Sequence, residues 1–132
     1  MMANNFTADT QTLEEVAAIL KALSDQNRLK ILDVLMEGIS CNGELNDRLG
    51  LPPNLLSHHL RVLREAGLVT SRRDVIDGRW IYYEVDKETV TRWQSWFTDF
   101  LNPTRLRERP LCGPEGQELA VDGVLAACQT TL

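Results

Sequence analysis

Apolar residues recur every three to four positions over most of the first hundred residues, so the chain reads as helical before anything else. Leu13, Val16, Ala17, Leu20 and Leu23 repeat at helical spacing and predict a first helix over about 12–24. Asp25 and Asn27 mark a break. The run "RLKILDVLME" predicts a second helix with Leu29, Leu32 and Leu35 or Met36 inward, ended by Gly38. A short third helix, "CNGELNDRLG", closes at Gly50. Pro52 and Pro53 open a fourth, because the first helical turn has no use for the amide hydrogen that proline lacks; it ends at Ala66-Gly67.

The period then changes. "LVTSRRDVI" and "RWIYYEV" are rich in β-branched and aromatic residues, and the Asp77-Gly78 pair between them signals a hairpin turn. A last helix over about 87–101 carries Val90, Trp93, Trp96, Phe97, Phe100 and Leu101 as an apolar stripe. The segment 102–132 is interrupted by Pro103, Pro110 and Pro114, and "QELAVDGVLAAC" within it is a weak helix candidate. The order predicts a mostly α fold with a β-hairpin wing, a winged helix-turn-helix. Three regions are expected: a flexible 1–11, a winged helix-turn-helix domain over 12–101, and a cysteine-containing tail over 102–132.

The fourth helix divides by chemistry. At about 100° per residue, Asn54, Ser57, His58, Arg61, Arg64 and Glu65 share one arc, and Leu55, Leu56, His59, Leu60, Val62, Leu63 and Ala66 share the other. The chain's two histidines, adjacent at 58 and 59, therefore point apart and do not form a joint metal site. His58 is read as a polar-face residue, His59 as packing.

Net charge of −5 argues against a nucleic-acid partner until its distribution is considered. Residues 48–83 hold six arginines against three acids, a local +3, while the remainder carries −8. Phosphate binding depends on the field near the contact, since distant charge is screened within about 8–10 Å. Arg72, Arg73 and Arg79 belong to the wing, with Arg79 at its tip, in reach of phosphate or the minor groove. No apolar run nears the ~18 residues of a membrane span, and the polar opening "MMANNFTADT" lacks the features of a signal peptide. A soluble cytoplasmic protein with no membrane partner is expected. Phosphate loop, Gly-x-Ser-x-Gly and His-Glu-x-x-His motifs are absent, so the expectation is that it is not an enzyme.

The stretches "LKALSDQNRLKILDVL", "GELNDRLGL", "LSHHLRVLREAGLV" and "DGRWIYYEV" resemble the ArsR/SmtB family of bacterial transcriptional repressors over about residues 12–101. The resemblance implies a homodimer joined through its first and last helices that binds double-stranded operator DNA and releases it when an effector binds. It places the reading role on Asn54, Ser57, His58 and Arg61; Pro53 departs from the family's usual polar residue.

The family's metal sites are mostly missing. "DKETVTRWQSWFTDFL" has no histidine for a zinc site on the last helix. Where arsenic- and cadmium-sensing members carry Cys-x-Cys, this chain has Cys41 and Gly43. The helix cysteines of a cadmium- and lead-sensing branch correspond to Val62 and Ala66, and only Cys112 resembles that branch's tail ligand. Cys41 also stands first in a capping-box spacing with Glu44, where serine is the better cap, and a helix N-terminus suits a reactive or ligating thiol. Cys41, Cys112 and Cys128 thus form a candidate thiolate set for a thiophilic effector, As(III), Cd(II) or Pb(II), with no obligatory cofactor. Two alternatives stay open: a thiol-based redox or sulfide-responsive repressor, and a protein-interaction module that uses the scaffold without DNA.

Overall fold

The computed structural model describes residues 6–119, in two units, one ending at Phe100 and one beginning at Leu101. In the first unit the first two helix starts are each fixed by an aspartate cap. Asp9 accepts from the Thr12 amide at 2.8 Å and opens α1, Thr10–Leu23. Asp25 accepts from the Asn27 and Arg28 amides at 2.8 and 3.2 Å and opens α2, Gln26–Leu35. A side-chain oxygen there satisfies amides that have no partner inside the helix. The residue that reads as a break is therefore the cap of the next helix.

Ser40–Cys41 forms a short strand, β1, and Cys41 then caps α3, Asn42–Leu49. Glu44 reaches back to the Cys41 amide at 3.4 Å, the acidic half of the capping box. Gly50 ends α3 at φ 64°, a left-handed conformation that glycine adopts without penalty. Helix α4, Pro53–Glu65, ends in a Schellman turn: Gly67 sits at φ 78°, its amide donates to Arg64, and the Leu68 amide donates to Leu63. That turn leads directly into β2, Val69–Arg73, and across the wing to β3, Ile81–Val85, and α5, Lys87–Phe100.

The sheet order is β1-β3-β2, all antiparallel, with Ser40 opposite Tyr83, and Val69 to Arg73 opposite Val85 to Ile81. The winged helix-turn-helix expected from sequence is present, with β1 as a third strand that the sequence pattern does not reveal. Ile31, Leu45, Leu63 and Val69 are fully buried and tie α2, α3, α4 and the sheet to one core. Burying each such side chain contributes about 1.5–3 kcal/mol.

In α1 the buried residues are Val16, Ile19 and Ala22; Ala17 is exposed, and Leu13 and Leu20 are 43% and 49% exposed. In α2 they are Ile31, Val34 and Leu35; the inward assignments of Leu29 and Met36 are corrected, since both face outward. The predicted strands are also too long, because residues 74–80 form a wing loop rather than a two-residue turn at Asp77-Gly78. In the second unit the described residues include a short 3-10 turn, Pro103–Arg105, and α6, Pro114–Leu119; Cys112 is exposed. Among the described residues no helix is long and apolar enough to cross a membrane.

Candidate nucleic-acid interface

Helix α4 buries Leu56, His59, Leu60 and Leu63, while Asn54, Ser57, His58, Arg61 and Arg64 are all exposed on its other side. The proline start leaves the first turn of this face without a side-chain cap. Arg61 donates to His58 Nδ1 at 3.3 Å, so two of the predicted reading residues touch each other at the surface.

The paired histidines are close but not equivalent. Their ring centroids lie 5.4 Å apart, yet His58 is exposed and His59 is 4% exposed. Arg28 of α2 donates to His59 Nδ1 at 3.1 Å. Arginine has no acceptor, so Nδ1 carries the lone pair and the proton lies on Nε2, which faces Asp25 Oδ1 at 3.9 Å. The same guanidinium donates to the Ala22 carbonyl at 2.6 Å. His59 thus pins the inner face of α4 to the α1–α2 junction and takes no part in a shared site with His58.

The hairpin brings the wing arginines to three different places. Side chains alternate across a strand. Ser71 and Arg73, opposite Tyr83 and Ile81, share one face, and Arg72, opposite Tyr82, lies on the other. There the Arg72 guanidinium stacks 4.9 Å from the Tyr82 ring. Arg64 donates to Ser71 Oγ at 3.1 Å and joins α4 to β2. Around this bond a notch of about 430 Å³ is lined by Ser57, Arg64, Ser71 and Arg73 among others. Arg64 shares the polar arc of α4, but sequence alone gave no reason to prefer it to any solvated arginine; its proximity to β2 does. Arg73 also donates to the Gly78 carbonyl at 2.6 Å. Arg79 pairs with Asp77 at 2.8 Å and is 89% exposed. A pair that exposed is weak, and the Arg79 guanidinium can exchange it for a phosphate.

Asp74 organises the wing. Its carboxylate accepts from the Tyr82 hydroxyl at 2.6 Å and from the Ile76 and Asp77 amides at 2.8 and 3.0 Å. The Tyr82 bond first, then the two amides, hold its carboxyl below the usual value of 3.8, and the same bond pushes the Tyr82 phenol up. A depressed carboxyl stabilises the fold fully above its ordinary value and ceases to do so as pH falls through its folded value. Acidification below about pH 4 is therefore expected to loosen the wing, and Asp74→Ala to loosen it at any pH. Hydrogen exchange at the Ile76 and Asp77 amides should accelerate at least about tenfold at neutral pH in this variant; unchanged exchange would remove Asp74 as the anchor.

The candidate thiols are placed separately. Cys41 is buried, between the β1–β3 ladder and the start of α3. Cys112 belongs to the second unit, and Cys128 lies outside the described residues. Among the described residues no three His, Cys, Asp or Glu side chains are grouped to hold a metal ion.

Comparison with known proteins agrees with this architecture. The family "Bacterial regulatory protein, arsR family" matches residues 25–71, which span α2 to β2. The chain is 31% identical over 84 residues to the transcriptional repressor SdpR of Bacillus subtilis, covering 64% of this chain and 90% of that one. It is 34% identical over 106 residues to an arsenic resistance transcriptional regulator of Pseudomonas putida, covering 70% and 80%. Among solved structures, a homodimeric winged helix-turn-helix DNA-binding domain of Mycobacterium bovis superposes with a TM-score of 0.57 at 27% identity, covering 82% of this chain and 99% of that one. By sequence and by fold, the chain belongs to the ArsR family of bacterial regulatory proteins.

Proposed function

We propose that this protein is a homodimeric repressor that binds operator DNA and is released when a thiophilic ion, As(III), Cd(II) or Pb(II), is bound by its cysteine thiolates. The observation that carries the DNA half is one exposed polar surface. It runs from Asn54, Ser57, His58 and Arg61 on α4, across the notch at Arg64 and Arg73, to Arg79 on the wing. An α-helix fits the major groove, where asparagine, serine and arginine pair with base edges. Arginines beside it neutralise phosphates and fix the register. Arg72, whose guanidinium stacks on the Tyr82 ring, also borders the notch and serves a phosphate at its edge.

The dimer reading is supported by the homodimeric relative and by Leu13 and Leu20, seven positions apart on the outer face of α1 and half exposed. Two copies would set two α4 helices one turn of DNA apart, about 34–36 Å, on a palindromic operator. The effector reading is supported by the relative named as an arsenic resistance transcriptional regulator and by the position of Cys41. An ion bound at Cys41, with Cys112 or Cys128, would pull on the residue that both starts α3 and pairs with β3. That couples ligation to the wing and to the helix before the reader.

Fluorescence anisotropy on the promoter fragment of the protein's own gene tests both halves. Log K should fall linearly with log salt. Arsenite or cadmium should release the wild type and fail to release at least one of Cys41→Ser, Cys112→Ser and Cys128→Ser. Release of all three variants as readily as the wild type would sink the thiolate reading, and absence of salt-dependent binding would favour a protein-interaction module.

A further inference from the structure

The most exposed large apolar residues of the described chain are neighbours at the wing tip. Val75 and Ile76 are each 93% exposed. Both are β-branched and suited to a strand, yet the loop lifts them out of the hairpin. The loop is fixed, not slack: Asp74 accepts from two of its amides, the Asp74 amide donates to the Trp80 carbonyl at 2.8 Å, and Arg73 grips the Gly78 carbonyl. Both acids of the loop are engaged, Asp74 with Tyr82 and Asp77 with Arg79. What the tip presents outward is an apolar pair flanked by arginines.

The reach of the hairpin indicates the occupant. Strand β2 starts three residues after the α4 cap and is five residues long, about 16 Å at 3.3 Å per residue. The major groove is about 12 Å wide. With α4 in that groove, a hairpin of this length would carry the cationic notch of Arg64 and Arg73 to the backbone ridge and the loop beyond β2 to the adjacent minor groove. Apolar side chains there read no hydrogen-bond pattern. They enter between base steps that unstack easily, above all pyrimidine–purine steps.

Resting on the DNA-binding reading, we propose that Val75 and Ile76 form a minor-groove wedge that selects deformable base steps flanking the bases read by α4. An apolar contact and an ionic one leave different traces: the wedge adds affinity without releasing counterions, whereas each arginine on phosphate adds about one unit to the salt slope.

The test uses a duplex selected by the full-length wild-type protein from a random pool, with 2-aminopurine placed in its flanks. The double variant Val75→Ser, Ile76→Ser should bind about tenfold more weakly, keep the wild-type salt slope, and lose the fluorescence rise that reports unstacking. The swap Val75→Ile, Ile76→Val should retain all three properties, and Arg79→Ala should flatten the slope by about one unit. Wild-type affinity in the double serine variant overturns the wedge, as does a loss that appears only in the slope. A changed sedimentation coefficient with unchanged DNA binding also overturns it and assigns the tip to contacts between copies. Failure of the wild type to select any duplex would instead overturn the DNA-binding reading itself.

Discussion

Arg28→Ala is expected to destabilise the fold by about 3 kcal/mol, although Arg28 lies far in sequence from α4. Its guanidinium donates to the Ala22 carbonyl at 2.6 Å and to His59 Nδ1 at 3.1 Å. Removing it leaves a ring nitrogen of a residue only 4% exposed without a donor. A buried acceptor left unsatisfied costs about 1–3 kcal/mol, and a lost bond from a charged donor about 1.5–3. The two overlap, so their sum is not expected. Urea denaturation should show a lower midpoint at unchanged m value. A loss under about 1 kcal/mol would mean that the α1–α2 junction relaxes around His59 and that the contact positions nothing. His59→Leu is the informative partner. It fills the same space without a nitrogen to satisfy, so in that background Arg28→Ala should cost markedly less, which a double-mutant cycle measures.

This contact shows where a sequence stops being readable. The polar and apolar arcs of α4 follow from helical spacing alone, and burial agrees with that division at Leu56, His59, Leu60 and Leu63. Which group satisfies His59 does not follow, because its partner is 31 residues away and is brought near only by the packing of α2 against α4. Strand β1 is invisible for the same reason. Two residues have no alternation to detect, and Ser40 and Cys41 are a strand only because Tyr83 and Tyr82 lie opposite them. In α1 the apolar stripe is wider than one core face can bury, so spacing alone could not separate inward Ile19 from outward Leu13 and Leu20.

The wing fails in a more instructive way. Strand propensity carries the reading through Val75 and Ile76, but the Asp74 carboxylate captures the amides of Ile76 and Asp77 and turns the chain first. Aspartate competing for local backbone amides defeats β-branched preference. The consequence reaches the candidate interface. The tip becomes a seven-residue loop with an apolar crest instead of a tight turn crowned by Arg79, and Arg79 becomes one flank of it.

The largest effect on DNA binding is expected from reversing charge where helix and hairpin meet. Arg61→Glu with Arg64→Glu replaces two exposed cations on one face of α4, one beside His58 and one in the notch at Ser71. The reversal at Arg64 removes a cation from a phosphate, the one at Arg61 removes a cation from a base edge, and each sets a carboxylate in its place. At 0.1–0.2 M salt, affinity should fall at least about a hundredfold, and the slope of log K against log salt should flatten by about one unit. Stability should change by less than about 1 kcal/mol, because neither side chain is buried and exposed pairs contribute little. The part of the loss that glutamate adds by repulsion is separated with Arg61→Gln and Arg64→Gln. These should give the same flattening at a smaller cost in affinity. If the double glutamate variant kept the wild-type slope, the cationic surface of α4 would not be the face that meets the phosphates.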